Sequence, residues 1–301
     1  EKVLILDTSD IKANATQASV GMLAPLIEAR PQETELFNLM LDSKKIWENF
    51  EDHFNISNIE IGLKNNSSLL IASNEDDLER IKFKKNFFSK LGFDTRLLNF
   101  KETNEIEPEL NSNFIGSLYC KDQNQVDPVR LRKILISKIL SMGCKIKKIK
   151  KLSKIKIKNY SLNFDKKEIC AKKVVISCGV WSRELLKNSF NISFPLRPLK
   201  GVSMILDAGR KLFENNLWFR NIYIAQRSNN LLAVGATEDE RGYDESIKVD
   251  EIYFLTKHIW DSFSGVEELK LVDIKSGLRP TISDGNPVIG PLESISSDII
   301  C

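Results

Sequence analysis

Asp7 closes the apolar run Val3, Leu4, Ile5, Leu6. An acid at the carboxyl end of a buried strand is where a nucleotide-binding half-fold accepts hydrogen bonds from the two ribose hydroxyls. An aspartate in that place serves equally well as a turn residue, so the residues beyond it decide between the two. The stretch Ala15-Thr16-Gln17-Ala18-Ser19-Val20-Gly21-Met22-Leu23-Ala24-Pro25 consists mainly of small and hydroxylated residues, which let backbone amides approach a phosphate or a ring system. A second feature of this kind is Val174-Val175-Ile176-Ser177-Cys178-Gly179-Val180-Trp181-Ser182, an apolar strand that runs into a small-residue turn. In doubly wound sheets ligands lie beyond the carboxyl ends of the strands, and a glycine there lets the backbone come close to a cofactor.

Other chemistries lack the residues they need. His53 and His258 are the only histidines and lie far apart, which disfavours a histidine-rich metal site or a Ser-His-Asp nucleophile. Cys120, Cys144, Cys170, Cys178 and Cys301 are odd in number and show no two-residue spacing. They read as reduced, mostly structural thiols rather than as a disulfide framework or a zinc site. Forty-four basic against forty-one acidic residues leave a net charge of +3, too little to select nucleic acid or an anionic membrane as the main partner. No apolar run approaches the roughly 18 residues of a membrane span, and no signal peptide opens the chain, so a cytoplasmic protein is expected.

The elements that must position these residues are legible in part. The 301 residues, 42% hydrophobic and 28% charged, suggest a folded protein of about two domains at roughly 150 residues each. Three-and-four spacing of Leu36, Leu39, Met40, Ile46, Trp47 and Phe50 predicts one long helix over 31–53. The pieces IEIGL and SLLIAS read as a hairpin between Ile59 and Ser73. Asn74 caps a second helix that ends before Gly92, and Asp127-Pro128 opens a third that runs to Gly143. The alternation of Ile and Lys from Lys145 to Asn163 predicts strands with one cationic, solvated face. A nucleic-acid stripe is the competing reading of that segment, disfavoured because it has few aromatic residues for bases to stack on. Strands are expected across 194–237 and over 269–274, with a helix over 249–263 between them. Alternating blocks of this kind suggest two domains interleaved in sequence. Both chain ends, in mid-strand at Val3 and at Ile300, read as cut.

The strings ATQASVGMLAP, QVDPVRL, VVISCGVWS, LRPLKGVSM, YIAQR, LLAVGATED and GLRPTISDGNPVIGP resemble, in the same order, motifs of the flavin-dependent D-amino-acid oxidase superfamily. The resemblance spans Val3 to Pro291 and is closest to the branch that oxidises glycine for thiamine biosynthesis. It implies a mixed α/β fold, in which an FAD-binding, Rossmann-like domain of the glutathione-reductase type (1–58, 125–194 and 273–301) is interleaved with an antiparallel-sheet substrate domain (59–124 and 195–272). The family's Gly-rich turn ahead of the ribose-binding acid, and its carboxyl-terminal segment over the flavin, have no counterpart in the sequence, so the chain reads as an internal fragment.

The resemblance also implies roles. Asp7 would take the ribose, while Thr16, Ala18, Ser19, Gly21 and Met22 would face the flavin or pyrophosphate of FAD. Gly179 and Trp181 would approach the cofactor from a second strand end, with ordinary packing the alternative for Trp181. Arg279 would pair bidentately with a substrate carboxylate, and Tyr223 would donate to that carboxylate and wall the pocket. Glu238, after GAT, would meet a substrate amine or simply cap a loop. Removing hydride from an amine-bearing carbon needs an electron sink that no side chain supplies, so FAD would carry that step. The implied reaction is oxidation of glycine, or another small amino acid, to the imine, with oxygen reduced to hydrogen peroxide, supplying thiazole formation for thiamine. A D-amino-acid dehydrogenase, a sarcosine-type oxidase and a non-catalytic flavin-binding subunit are the alternatives. No metal, nucleic acid or membrane partner is implied, and a homo-oligomer is.

Overall fold

The computed structural model describes residues 2–8, 14–150, 152–156, 161–164 and 167–301. Along the chain, strand β1 (Leu4–Thr8) precedes helix α1 (Ala15–Ala18), strand β2 (Met22–Leu23) and helices α2 (Pro25–Glu28), α3 (Thr34–Glu48) and α4 (Phe50–Phe54). Then come β3 (Ser68–Ala72), α5 (Glu75–Lys90), β4 (Thr95–Asn99), α6 (Phe100–Ile106), β5 (Gly116–Cys120) and β6 (Asn124–Gln125). Helix α7 (Pro128–Ser141) leads into β7 (Lys145–Ile149), β8 (Leu152–Lys156), β9 (Ser161–Phe164), β10 (Lys167–Cys170) and β11 (Val174–Val175). Helix α8 (Ser182–Phe190) is succeeded by β12 (Arg197–Asp207), β13 (Asn216–Trp218), β14 (Tyr223–Gln226) and β15 (Leu231–Gly235). Helix α9 (Val249–Trp260), β16 (Lys270–Thr281), β17 (Pro291–Leu292) and β18 (Ser296–Ile300) complete it.

An eight-stranded sheet in the order β16-β12-β15-β14-β13-β3-β5-β4 forms the centre. Its neighbours are antiparallel except for the parallel pair β13 and β3. Around it stand smaller sheets, among them the parallel pairs β1 with β7 and β11 with β18. The result is mixed α/β with a large, mainly antiparallel sheet, as the sequence implied.

Successive residues of a strand point to opposite faces, and β3 uses both. Leu69 and Ile71 enter a core with Val202, Leu217 and Val234 under Leu255 and Ile259 of α9. Leu70 and Ala72 enter a second core with Ile81 and Phe88 of α5 and Leu26 and Ile27 of α2. Each fully buried side chain of this size contributes roughly 1.5–3 kcal/mol, so covering both faces makes this sheet the rigid support for whatever its strand ends carry.

Several expected elements are redrawn. The single helix over 31–53 is two, broken at Asn49, whose backbone (φ −110°, ψ 25°) leaves the helical region. The hairpin between Ile59 and Ser73 is a tight turn and then one sheet strand. Gly62 N donates to Ile59 O, Gly62 takes a positive φ of 66°, and Ile61 is buried while Ile59 is 84% exposed. Helix α6 was not anticipated, although Asn99 and Glu102 form a reciprocal capping box at its start. The apolar run from Lys173 supplies only the short β11 and then a 3₁₀ turn over Gly179–Trp181. The strand expected at 269–274 continues to Thr281 and so carries GLRPT within the central sheet. In the Lys-rich segment, residues 151 and 157–160 lie outside the described residues. The caps at Asn74 and Asp127 are as read, each side chain accepting hydrogen bonds from the first turn of its helix. Among the described residues no helix is long and apolar enough to cross a membrane.

Candidate active site

Helix α1 lies directly against the central sheet. A Cβ on Gly277 of β16 would meet Ala18 Cβ at 2.8 Å and Ala15 Cα at 2.9 Å, so the glycine is what allows the approach. Ser203 Oγ of β12 donates to Ala18 O at 2.6 Å. At the amino end of α1, Asn14 Oδ1 accepts from the amides of Thr16 (2.9 Å) and Gln17 (3.3 Å), and Ser19 Oγ donates to Thr16 O (3.0 Å). Ala18 is buried whereas the side chains of Thr16 and Ser19 face solvent.

The next residues are clamped. Gly21 takes a φ of +73°, and a Cβ there would sit 2.3 Å from Val126 O and 2.7 Å from Pro128 Cγ. Its carbonyl accepts from Val126 N at 2.9 Å, and Met22 pairs with Gln125. The buried Arg227 donates to both Val20 O and Val126 O, tying the two chain segments together. Burial pulls its guanidinium down to about 10, opposed by Asp127, so it stays charged at neutral pH.

Tyr223 opens β14 opposite Gly235 of β15. It packs on the cluster of Val20, Ala225 and Ala233, and its ring lies 5.0 Å from the Trp218 ring at an interplanar angle of 35°. Gly235 has no room for a side chain, since a Cβ would be 2.8 Å from Val20 Cγ2 and 3.1 Å from the Tyr223 ring. Burial pushes the Tyr223 phenol above its ordinary value of 10.0; Arg279 opposes this, and Glu28 and Glu238 add to it.

Arg279 extends from β16 over Gly201 of β12, where a Cβ would come within 2.6 Å of its Nη2. Arg279 Nη1 donates to Glu238 Oε1 at 2.7 Å and Nη2 to Thr237 O at 3.3 Å. Thus Gly201, Gly235 and Gly277, on adjoining strands, clear space for the guanidinium, the phenol and α1 respectively. Trp218, Tyr223, Thr237, Glu238 and Phe254 line a cleft of about 630 Å³ beside them.

The remaining sequence-derived residues lie on other strand ends. Asp7 stands near the carboxyl end of β1, half exposed, with Arg132 Nη2 3.7 Å from its Oδ2, beyond hydrogen-bonding distance. Gly179 is exposed, takes a φ of +56° and has nothing within 4 Å of where a Cβ would lie. Trp181 packs on Val180 and Leu278, one residue before Arg279, so here packing and position near the site coincide.

The structure adds Glu28, which sequence reasoning did not single out. Its side chain is accessible to solvent. Burial raises its carboxyl above the ordinary value, opposed by Lys84, Arg30 and Arg279. Its only sequence signal is an acid between two apolar residues directly after the small-residue run.

An open small-residue surface at α1, an exposed Asp7 carboxylate able to accept from hydroxyls, and free space beside Gly179 fit a dinucleotide. The arrangement pairs that surface with one cationic fork and one neutral hydroxyl.

Comparison with known proteins agrees. The family model described as DAO, FAD dependent oxidoreductase, matches residues 1–300. Glycine oxidase of Bacillus licheniformis is 24% identical over 295 residues, covering 96% of this chain and 78% of that protein. The crystal structure of glycine oxidase from Geobacillus kaustophilus superposes with a TM-score of 0.91 at 23% identity, over 99% of this chain and 81% of the other. Iminodiacetate oxidase from Chelativorans superposes with a TM-score of 0.89 at 17% identity, over 100% of this chain and 82% of the other.

Proposed function

We propose, from the premise that the chain belongs to the DAO family of FAD-dependent oxidoreductases, that its substrate is glycine or another small amino acid. The observation that carries this reading is the convergence of Arg279 and Tyr223 beside the small-residue segment 18–22. Arg279 binds the substrate carboxylate, its planar fork held flat over Gly201. Tyr223, kept protonated by its surroundings, donates a hydrogen bond to the same carboxylate and shields the amine-bearing carbon from water. FAD, when bound, accepts the hydride that no side chain here can take. Asp7, Thr16, Ala18, Ser19, Gly21, Met22, Gly179 and Trp181 hold it. The reaction is then amino acid plus oxygen to imino acid plus hydrogen peroxide, and with glycine the imine supplies thiazole formation for thiamine.

The same reading divides the chain into a flavin-binding part (1–58, 125–194 and 273–301) and a substrate part (59–124 and 195–272). In that division strand β16 begins in the substrate part and ends in the flavin-binding part, where Arg279 falls. A bulkier amine of the D-amino-acid or sarcosine type, held by the same Arg279 anchor, is the second reading.

Anaerobic bleaching of the flavin by glycine, sarcosine and D-alanine tests cofactor and substrate together. Fastest reduction by glycine supports the first reading, and fastest reduction by either of the others supports the second. A bound flavin that none of the three reduces removes the assigned substrate class.

A further inference from the structure

The anchor Arg279 already holds a carboxylate. Glu238 Oε1 accepts from Arg279 Nη1 at 2.7 Å, and the Glu238 side chain is 66% exposed on the wall of the cleft, against 36% for Arg279. Its second oxygen accepts no hydrogen bond from any described residue. Neither partner can drift far. Thr237 N donates to Val202 O (3.2 Å) and Thr237 Oγ1 accepts from Val202 N (2.9 Å). On the other side Asp239 exchanges backbone hydrogen bonds with Lys200 (2.9 and 3.0 Å). The Glu238 backbone is therefore pinned to β12 on both sides, and Arg279 is fixed against the same strand at Gly201.

We propose that Glu238 is a specificity-determining residue: it makes the Arg279 anchor select carboxylates that carry an adjacent ammonium over carboxylates that do not. The proposal rests on the reading of Arg279 as the substrate anchor. A bare carboxylate arriving at Arg279 meets the negative charge of Glu238 a few ångströms away, and part of the attraction is cancelled. In an α-amino acid the nitrogen is two bonds from the carboxylate carbon, so a carboxylate seated on the guanidinium brings its ammonium towards the free oxygen of Glu238. Repulsion is then replaced by a charge-assisted hydrogen bond. An opposed pair held 2.7 Å apart against the same strand, β12, is thus complementary to a zwitterion, and α-hydroxy acids and simple carboxylates are the ligands it rejects. Glu28 also feels the charge of Arg279, but it projects from α2 rather than from the strand-pinned loop, and it serves as the control.

The test uses the flavin-loaded full-length enzyme and its Glu238→Gln, Glu28→Gln and Arg279→Ala variants. Acetate and glycolate affinities come from perturbation of the flavin absorbance, and glycine half-saturation comes from anaerobic titration. Glu238→Gln is expected to weaken glycine and to tighten acetate and glycolate, each by about five- to tenfold, the size of one charge contact at a partly exposed site. Glu238→Asp should restore the order of preference. Equal tightening of all three ligands would show Glu238 to be a mere competitor for Arg279 and would overturn the proposal. No change in any ligand, or the same selectivity loss in Glu28→Gln alone, would overturn it as well. If Arg279→Ala leaves acetate and glycine affinity intact, it is the anchor reading itself that has failed, and the role of Glu238 falls with it.

Discussion

Arg279 has one face against the Gly201 backbone, one nitrogen on Glu238 and another on Thr237 O. That leaves part of a rigid donor fork for a ligand, a geometry lysine cannot reproduce. Arg279→Lys should therefore lower kcat/KM for the amino acid by about ten- to hundredfold, the roughly 1.5–3 kcal/mol of a hydrogen bond to a charged group. Steady-state kinetics measure this directly, and an unchanged KM would remove the anchor. Tyr223 differs in kind. Burial raises its phenol above 10.0, so the neutral, donating form persists through the alkaline range in which enzymes are assayed. Tyr223→Phe should lower kcat/KM by about tenfold while leaving the alkaline limb of its pH profile where it is in the parent. A limb that vanishes in the variant would mean that Tyr223 titrates. Both candidates were named through the resemblance of the short motifs YIAQR and GLRP that carry them. The Arg279 to Glu238 contact was not legible, since strand pairing brings together residues 41 positions apart, and Glu28 was hidden because its surroundings are set by residues distant in sequence, among them Lys84 and Arg279.

Among the elements, those with local punctuation were legible and those decided by tertiary contact were not. Asp127 with Pro128 after it fixed the start of α7, and Asn74 that of α5, through side-chain caps that depend on nearby residues alone. The split of α3 from α4 and the turn at 57–62 answer instead to packing, which buries Phe50 and Ile61 in one cluster and leaves Ile59 outside. Gly21 joins the two kinds. Its positive φ is a local demand, but the 2.3 Å approach to Val126 O is a tertiary one. Because the obstructing atom is backbone, Gly21→Ala must displace the loop, at a cost of roughly 1–3 kcal/mol, and should lower the flavin content of the purified protein. Asp127→Ala, which removes a cap beside that loop, should cost about 1 kcal/mol with flavin content unchanged. Urea midpoints and the ratio of flavin to protein absorbance separate the two. Equal flavin content in both variants would sever the link between the Gly21 turn and the cofactor.

Over the whole molecule, the expectation of a mixed α/β chain with a second, mainly antiparallel sheet is met. The size of that sheet was not legible, because its eight strands come from segments between residues 68 and 281 and pairing across such distances has no local signature. Burial in the middle of this assembly is not all apolar. Lys200 of β12 is 0% exposed and donates to Glu251 of α9, itself 4% exposed, at 3.0 Å, and also to Ser246 O. Glu251 in turn accepts from Lys248 N at 2.8 Å, so the pair fixes the first turn of α9 to the strand that also carries Gly201. Two charges withdrawn from water gain little net stability from each other, but either one alone is severely destabilising. Lys200→Met should therefore lower the unfolding free energy by about 3–5 kcal/mol, and Lys200→Met with Glu251→Leu should recover most of that loss. Denaturation of the two variants measures the difference. Recovery in the double variant assigns the pair a role in orientation, because α9 would then dock without it, and kcat/KM should still fall as the loop 237–246 loses its side-chain attachment at Ser246 O. A double variant as unstable as the single one would instead make this ion pair a direct contributor to stability, with the strand and α9 dependent on it to fold together.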